Sequence, residues 1–177
     1  MGAEIDVRDL DGDLVVSHDP PRAGALAFRD VLAAHSAHGH PGVLAINVKA
    51  DGLVSLLAAA LETTPRWFAF DMSVPDTLHY ARTGLPFFTR QSEFELEPPL
   101  YDEAVGVWID GFKSDWVNEP VVAKHRRAGK AVCLVSPELH GRSCDPAWGR
   151  WQTWSLRNDP EMSICTDLPE RAAERLS

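Results

Sequence analysis

Near the amino end, the segment GAEIDVRDLDGDLVVSHDP sets Glu4 and Asp6 two residues apart, with His18 a short way beyond a turn. On a strand, residues two apart leave from one face, so the two carboxylates stand side by side while Ile5 and Val7 face the other way. Adjacent carboxylates repel, and a hard divalent cation such as Mg²⁺ or Ca²⁺ keeps both ionised. Asp11-Gly12 predicts a hairpin turn, and Leu14 to Val16 return as a short strand that delivers His18 to the same end as the acids. An imidazole beside such an ion is placed for proton transfer to a phosphoester oxygen.

The elements that must position these groups are short apolar runs: Ala3 to Val7, Val43 to Val48, Trp67 to Phe70, Leu85 to Phe88, Val105 to Ile109, Ala131 to Val135 and Met162 to Cys165. Between them, LVSLLAAALETT from Leu53, DTLHYARTG from Asp76 and EPVVAKHRRAGK from Glu119 carry helical spacing. Strands alternating with helices predict βαβ units and a parallel sheet. Polar residues collect at the carboxyl ends of the strands: Glu4 and Asp6, Asn47 and Lys49, Asp71, Arg90, Asp110, Ser136 and Glu138, and Asp167. In a (β/α)8 barrel those ends converge on one mouth, whereas in a doubly wound sheet few of them meet. No GxGxxG or GxxxxGK run supports a nucleotide-binding sheet. An α/β chain of the TIM-barrel type is therefore predicted, as a single domain over residues 1–177, without repeats or an internal linker.

Composition narrows the partners. Lys and Arg total 17 against 26 Asp and Glu, and the net charge of −9 opposes contact with the phosphate backbone of nucleic acid. Cys133, Cys144 and Cys165 have no metal-like pairing, and two of them lie inside apolar segments, as reduced thiols would in the cytoplasm. The acidic start MGAEIDVRDLDGD lacks the cationic and apolar stretches of a signal peptide, and no apolar run is long enough to span a membrane.

The pattern E-x-D-V, a DG turn and LVV-x-HD resembles the signature of the glycerophosphodiester phosphodiesterase family, the phosphatidylinositol-phospholipase-C-like barrel phosphodiesterases. LAINVKADG is similar to that family's I-E-x-K strand, and TDLPERAAERL to its closing T-D-x-P-x-x-A element. LAINVKADG, SPELHGR and ICTDLP together resemble a short bacterial subgroup. The resemblance implies hydrolysis of a small phosphodiester carrying a glycerol-like alcohol, in lipid metabolism. Glu4 and Asp6 match metal ligands, and His18 matches the second catalytic histidine, which protonates the leaving alkoxide. Lys49 acts with His18, and Lys49 and Arg90 offset the charge that develops on the phosphoryl group. Asn47 stands where the family places a third metal-binding Glu; its amide oxygen coordinates without charge, and Asp71 is the substitute carboxylate. Glu138 and Arg142, in SPELHGR, are candidates for the substrate head group. The chain starts at the strand after the family's His-Arg-Gly strand. The resemblance thus implies seven barrel strands, with open edges beside residues 3 to 7 and 162 to 166 that an upstream start, a partner such as a second copy, or closure of the smaller sheet would cover.

Other features carry plainer readings. His35, His38 and His40 sit in an Ala/Gly-rich helix end and loop without a Cys or carboxylate at ligand spacing, so a solvated loop is expected rather than zinc. Trp148, Trp151 and Trp154 recur three apart, the spacing of one helix face packing on the sheet. Two further functional readings stand beside the hydrolase. One is a catalytically impaired module that keeps the strand ends for an anionic ligand. The other is a lyase or isomerase in which Lys49 and Asp71 serve a metal-bound enolate.

Overall fold

The computed structural model describes residues 1–176. The chain divides into two compact units, one ending at Phe88 and the other beginning at Thr89.

In the first unit, β1 (Ala3–Leu10) turns back into β2 (Asp13–Val16). Asp11 and Gly12 hold φ of 54° and 88° between them. Two positive φ values in a two-residue loop define the type I′ hairpin that an Asp-Gly pair favours. The short β3 (Leu26–Ala27) leads into α1 (Phe28–Ala37), followed by β4 (Leu44–Val48), α2 (Val54–Ala60), β5 (Trp67–Phe70) and α3 (Val74–Thr83). The sheet order is β3-β2-β1-β4-β5. β1, β4 and β5 run parallel, and their register sets Asp6 beside Asn47 and Asn47 beside Phe70. Ile5, Val7, Leu44, Ile46, Phe68 and Tyr80 are buried, which is why the parallel strands read as nearly unbroken apolar runs. Helix α3 starts where Ser73 Oγ accepts the Asp76 N–H at 3.2 Å, and it ends on Gly84 at φ 69°.

β1 therefore has β2 on one side and β4 on the other, and the edge expected to lie open beside residues 3 to 7 is filled by the chain's own hairpin. The predicted strand at Leu85 to Phe88 also moves: β6 spans Phe88–Gln91. Pro86 has no N–H to give a ladder, and Phe87 makes only an isolated parallel bridge to Ala69.

The second unit carries the sheet order β6-β7-β8-β9, with β7 (Gly106–Ile109), β8 (Ala131–Val135) and β9 (Met162–Cys165) parallel. Helix α4 (Glu119–Arg127) is capped by Asn118, whose side chain accepts from Val121 N–H at 3.2 Å, and its last turn is basic. A 3-10 turn (Pro137–His140), α5 (Asp145–Trp151) and α6 (Pro169–Leu176) complete the unit. Trp148, Trp151 and Trp154 are all buried in one core with Val107, Val132 and Leu134, although Trp154 lies beyond the end of α5. The packing role expected of this trio holds. Among the described residues no helix is long and apolar enough to cross a membrane, and the pairing within the two sheets does not by itself close a barrel.

His125 is almost fully buried in this second core, and its bonds fix its tautomer. The Gln91 amide oxygen can only accept, so His125 Nε2–H donates to it at 2.8 Å, and the Tyr101 hydroxyl donates to Nδ1 at 2.9 Å. Burial, aided by the neighbouring Lys124, pulls the imidazole pKa down to about 4. The unfolded chain then binds a proton that the native state refuses. The histidine's share of stability is complete above about pH 6.5 and drains as pH falls toward 4, by at most ~1.4 kcal/mol per pH unit. Urea unfolding midpoints of H125Q are expected to fall less between pH 7 and 4.5 than those of the parent chain; parallel curves would reject this assignment.

Candidate functional site

The carboxyl ends of β4 and β5, together with the stretch of β1 that pairs with β4, gather most of the predicted residues. Parallel register brings Asp6 next to Asn47, and Lys49 follows the end of β4, its backbone N–H bonded to the Val7 carbonyl at 3.0 Å. Asp71 closes β5 in the left-handed region, at φ 69°, a conformation that Asp tolerates better than most residues and that recurs at functional sites. The Lys49 ammonium reaches between two acids, 3.4 Å from Asp6 and 3.5 Å from Asp71, and all three side chains are about three-quarters or more buried. Half-buried ion pairs of this kind position groups more than they stabilise the fold.

Glu4 is more open to solvent, yet its carboxyl is perturbed. Desolvation raises its pKa above the ordinary carboxylate range, the Asn47 amide that donates to it pulls the other way, and the charges of Asp6 and Asp71 push it up again against Lys49. Burial is the largest cause of the rise, and the charges of Asp6 and Asp71 add to it. Asn47 Oδ1 is buried without any hydrogen-bond partner. A buried orphan oxygen beside crowded carboxylates is an unusual feature.

Glu4, Asp6, Asp71 and the Asn47 Oδ1 are all oxygen donors, the set a hard divalent cation takes. The orphaned oxygen and the displaced Glu4 pKa fit such an ion. Against this, Lys49 already supplies positive charge to Asp6 and Asp71, and among the described residues no three His, Cys, Asp or Glu side chains converge in ligand geometry. The donor chemistry fits, and the ligands are not drawn together.

His18 stands apart. The backbone just before it is anchored, with Ser17 N–H donating to the Asp6 carbonyl at 3.1 Å and Arg8 Nε donating to the His18 carbonyl at 2.9 Å. The imidazole itself is 72% exposed and pairs with Asp19 at 3.0 Å. It makes no hydrogen bond to Glu4 or Asp6. Of the histidine trio, His35 and His40 meet through their Nδ1 atoms at 3.1 Å while His38 Nδ1 bonds the Ala34 carbonyl, and no metal-ligand group forms there among the described residues.

The second unit has its own polar set at the ends of β6 to β9. Arg90 is gripped by both carboxylate oxygens of Glu95, at 2.5 and 3.2 Å, and lies over the Phe112 ring. Glu138 accepts from the hydroxyls of Ser136 and Thr166, bracing β8 to the residue after β9, and Trp148 Nε1 donates to Ser136 Oγ at 2.8 Å. Arg142 donates to Asp115 at 2.8 Å and to the Gly111 carbonyl, tying down the loop after β7. In that same loop, the N–H groups of Phe112, Lys113 and Ser114 converge on Glu93. Although desolvation alone would raise it, these donors hold the Glu93 carboxyl down at about 2.

One contact here involves a residue that the sequence reading passed over. His140 Nε2 meets the buried Asp110 Oδ1 at 2.6 Å. Asp110 was visible as a strand-end acid; its partner lies thirty positions away in SPELHGR, and nothing local in the sequence signals the pairing.

Neither protein-family models nor curated proteins give any match to this chain.

Proposed function

We propose that the chain is a metal-dependent phosphodiester hydrolase acting on a glycerophosphodiester-like substrate, with its strands arranged as in an incomplete (β/α)8 barrel. The observation that carries this reading is the meeting of Asp6, from the part of β1 paired with β4, with Lys49 and Asp71, which follow the carboxyl ends of β4 and β5, and with Glu4 and the orphaned Asn47 oxygen on the same sheet. Glu4, Asp6, Asn47 and Asp71 would hold Mg²⁺ or Ca²⁺, which would polarise a phosphoryl oxygen. The Lys49 ammonium offsets the charge that builds on the phosphoryl oxygens as the bond to the alcohol breaks. His18, whose imidazole is exposed, would turn toward the leaving alkoxide and protonate it. The three free thiols, two of them buried, suit a cytoplasmic setting.

A second reading has an observation of its own. The Lys49 ammonium itself bridges Asp6 and Asp71, so the same cluster can serve a module that binds an anionic ligand without turning it over.

The test is direct. Purified protein with Mg²⁺, Ca²⁺ or Mn²⁺ is expected to release alcohol from glycerophosphodiesters or from an aryl phosphodiester, with the activity lost on chelation and in E4Q. Saturable binding of glycerol phosphate without hydrolysis under any of these ions would replace the hydrolase with the binding module.

A further inference from the structure

On β1 the alternation that pairs Glu4 with Asp6 continues to Arg8, which shares their face roughly 7 Å along the strand from Asp6. The neighbouring β4 runs the same way, with Asp6 beside Asn47. Just beyond the last pair of that ladder, the Lys49 N–H bonds the Val7 carbonyl at 3.0 Å. The Lys49 ammonium lies 3.4 Å from Asp6, and so is on the face that Arg8 occupies. The first unit thus sets two cations, Arg8 and Lys49, one step along the sheet from its acids.

The two cations are held differently. Lys49 is taken up by the carboxylates of Asp6 and Asp71. Arg8, partly exposed, donates through Nε to the His18 carbonyl at 2.9 Å, and among the described residues its side chain has no other hydrogen bond and no ion pair. Anchoring Nε orients the guanidinium plane and leaves the two terminal nitrogens as a fork for two oxygens of one anion. Charge balance points to the same ligand. With Glu4, Asp6 and Asp71 ionised, the ammonium of Lys49 leaves two negative charges, which a divalent ion neutralises. Arg8 is then the uncompensated charge, and it matches the single negative charge of a phosphodiester.

We propose that Arg8 is the phosphate-binding residue of this site, its terminal nitrogens gripping the two non-bridging oxygens of the substrate's phosphate group. The assignment rests on the reading above that the cluster takes a phosphate ester. It makes charge a condition of recognition, because a neutral phosphotriester offers the fork no anion. It also ties the ligand to the segment that carries His18, since one guanidinium holds the His18 carbonyl and the phosphate together. The competing role is purely local: Arg8 fastens the chain before His18 and touches no ligand. In that case its removal acts only through the placement of His18.

The experiment titrates glycerol 3-phosphate, a product of the proposed reaction, into the full chain, R8A, R8K, H18A and the double variant R8A/H18A by calorimetry with Mg²⁺, and measures hydrolysis of bis(p-nitrophenyl) phosphate by the parent and K49A. R8A is expected to weaken glycerol phosphate binding by about tenfold to a hundredfold, the loss of charge-assisted hydrogen bonds to one anion. R8K has no Nε–H for the His18 carbonyl but keeps the charge, so it should recover part of the affinity. The same weakening should appear when R8A is added to H18A, where the placement of the imidazole no longer matters. Unchanged binding in R8A, or a loss that vanishes in the H18A background, overturns the Arg8 assignment; the hydrolase reading then still stands if the parent turns over and K49A does not. A parent that binds glycerol phosphate without hydrolysis sinks the hydrolase reading alone, and the R8A titration still decides Arg8. If the parent neither binds nor hydrolyses, both fall.

Discussion

Replacing Lys49 with alanine is expected to lower the rate of phosphodiester hydrolysis by about a hundredfold to a thousandfold, the usual cost of removing one preorganised charge aimed at a developing anion. The ammonium sits 3.4 and 3.5 Å from two carboxylates in a largely buried setting, so its loss also leaves Asp6 and Asp71 facing each other without compensation from Lys49. The stability cost is about 1–3 kcal/mol, below that of breaking a fully buried pair because solvent still reaches the site. A second readout separates catalysis from repair of the fold. With the ammonium gone, Asp6 and Asp71 are released to a divalent ion, so K49A is expected to bind Mg²⁺ or Mn²⁺ more tightly than the parent chain in calorimetric titration. Lower activity with unchanged or weaker ion binding would mean that the acids serve Lys49 alone, as in the ligand-binding module.

The largest effect on stability is expected from Trp148→Ala. Trp148 is fully buried, with its indole N–H bonded to Ser136 Oγ at 2.8 Å and the Arg171 guanidinium 5.4 Å from its ring centre. Truncating an aromatic of this size in a core costs about 3–5 kcal/mol, a large part of the 5–15 kcal/mol that is usual for a domain. W148F refills most of the apolar volume and gives up the indole hydrogen bond and some packing, so its loss should be nearer 1–2 kcal/mol. Urea unfolding followed by circular dichroism checks both; equal losses in the two variants would show that the hydrogen bond, not the packed volume, carries the contribution.

The parallel strands were legible because burial on both faces writes them as apolar runs, and the cluster at Lys49 was legible because strand ends are where such runs stop. Glu4, Asp6, Asn47, Lys49 and Asp71 needed only the further knowledge that β1, β4 and β5 are neighbours. The displaced strand at β6 was misplaced because four apolar letters, Leu85 to Phe88, outweighed the missing N–H of Pro86. Helix α1 was legible only as a helix end near the histidines, since its run of Ala, His and Ser gives a weak apolar stripe with only Phe28 buried. The imidazole of His18 hangs on a loop whose direction depends on Asp19 and Arg8, contacts that spacing alone does not encode. His140 shows the same limit more sharply, because an acid and a base from different βα units become partners only when the sheet forms.

The hairpin at Asp11-Gly12 has a consequence beyond the site. By folding β2 and then the two-residue β3 against β1, it finishes that side of the first sheet with a strand too short to recruit another chain. The eight residues of β1 are thereby withheld from cross-molecular stacking. Lengthening the turn, or placing proline in β2, should make the chain seed fibrils where the parent does not, detectable by thioflavin fluorescence.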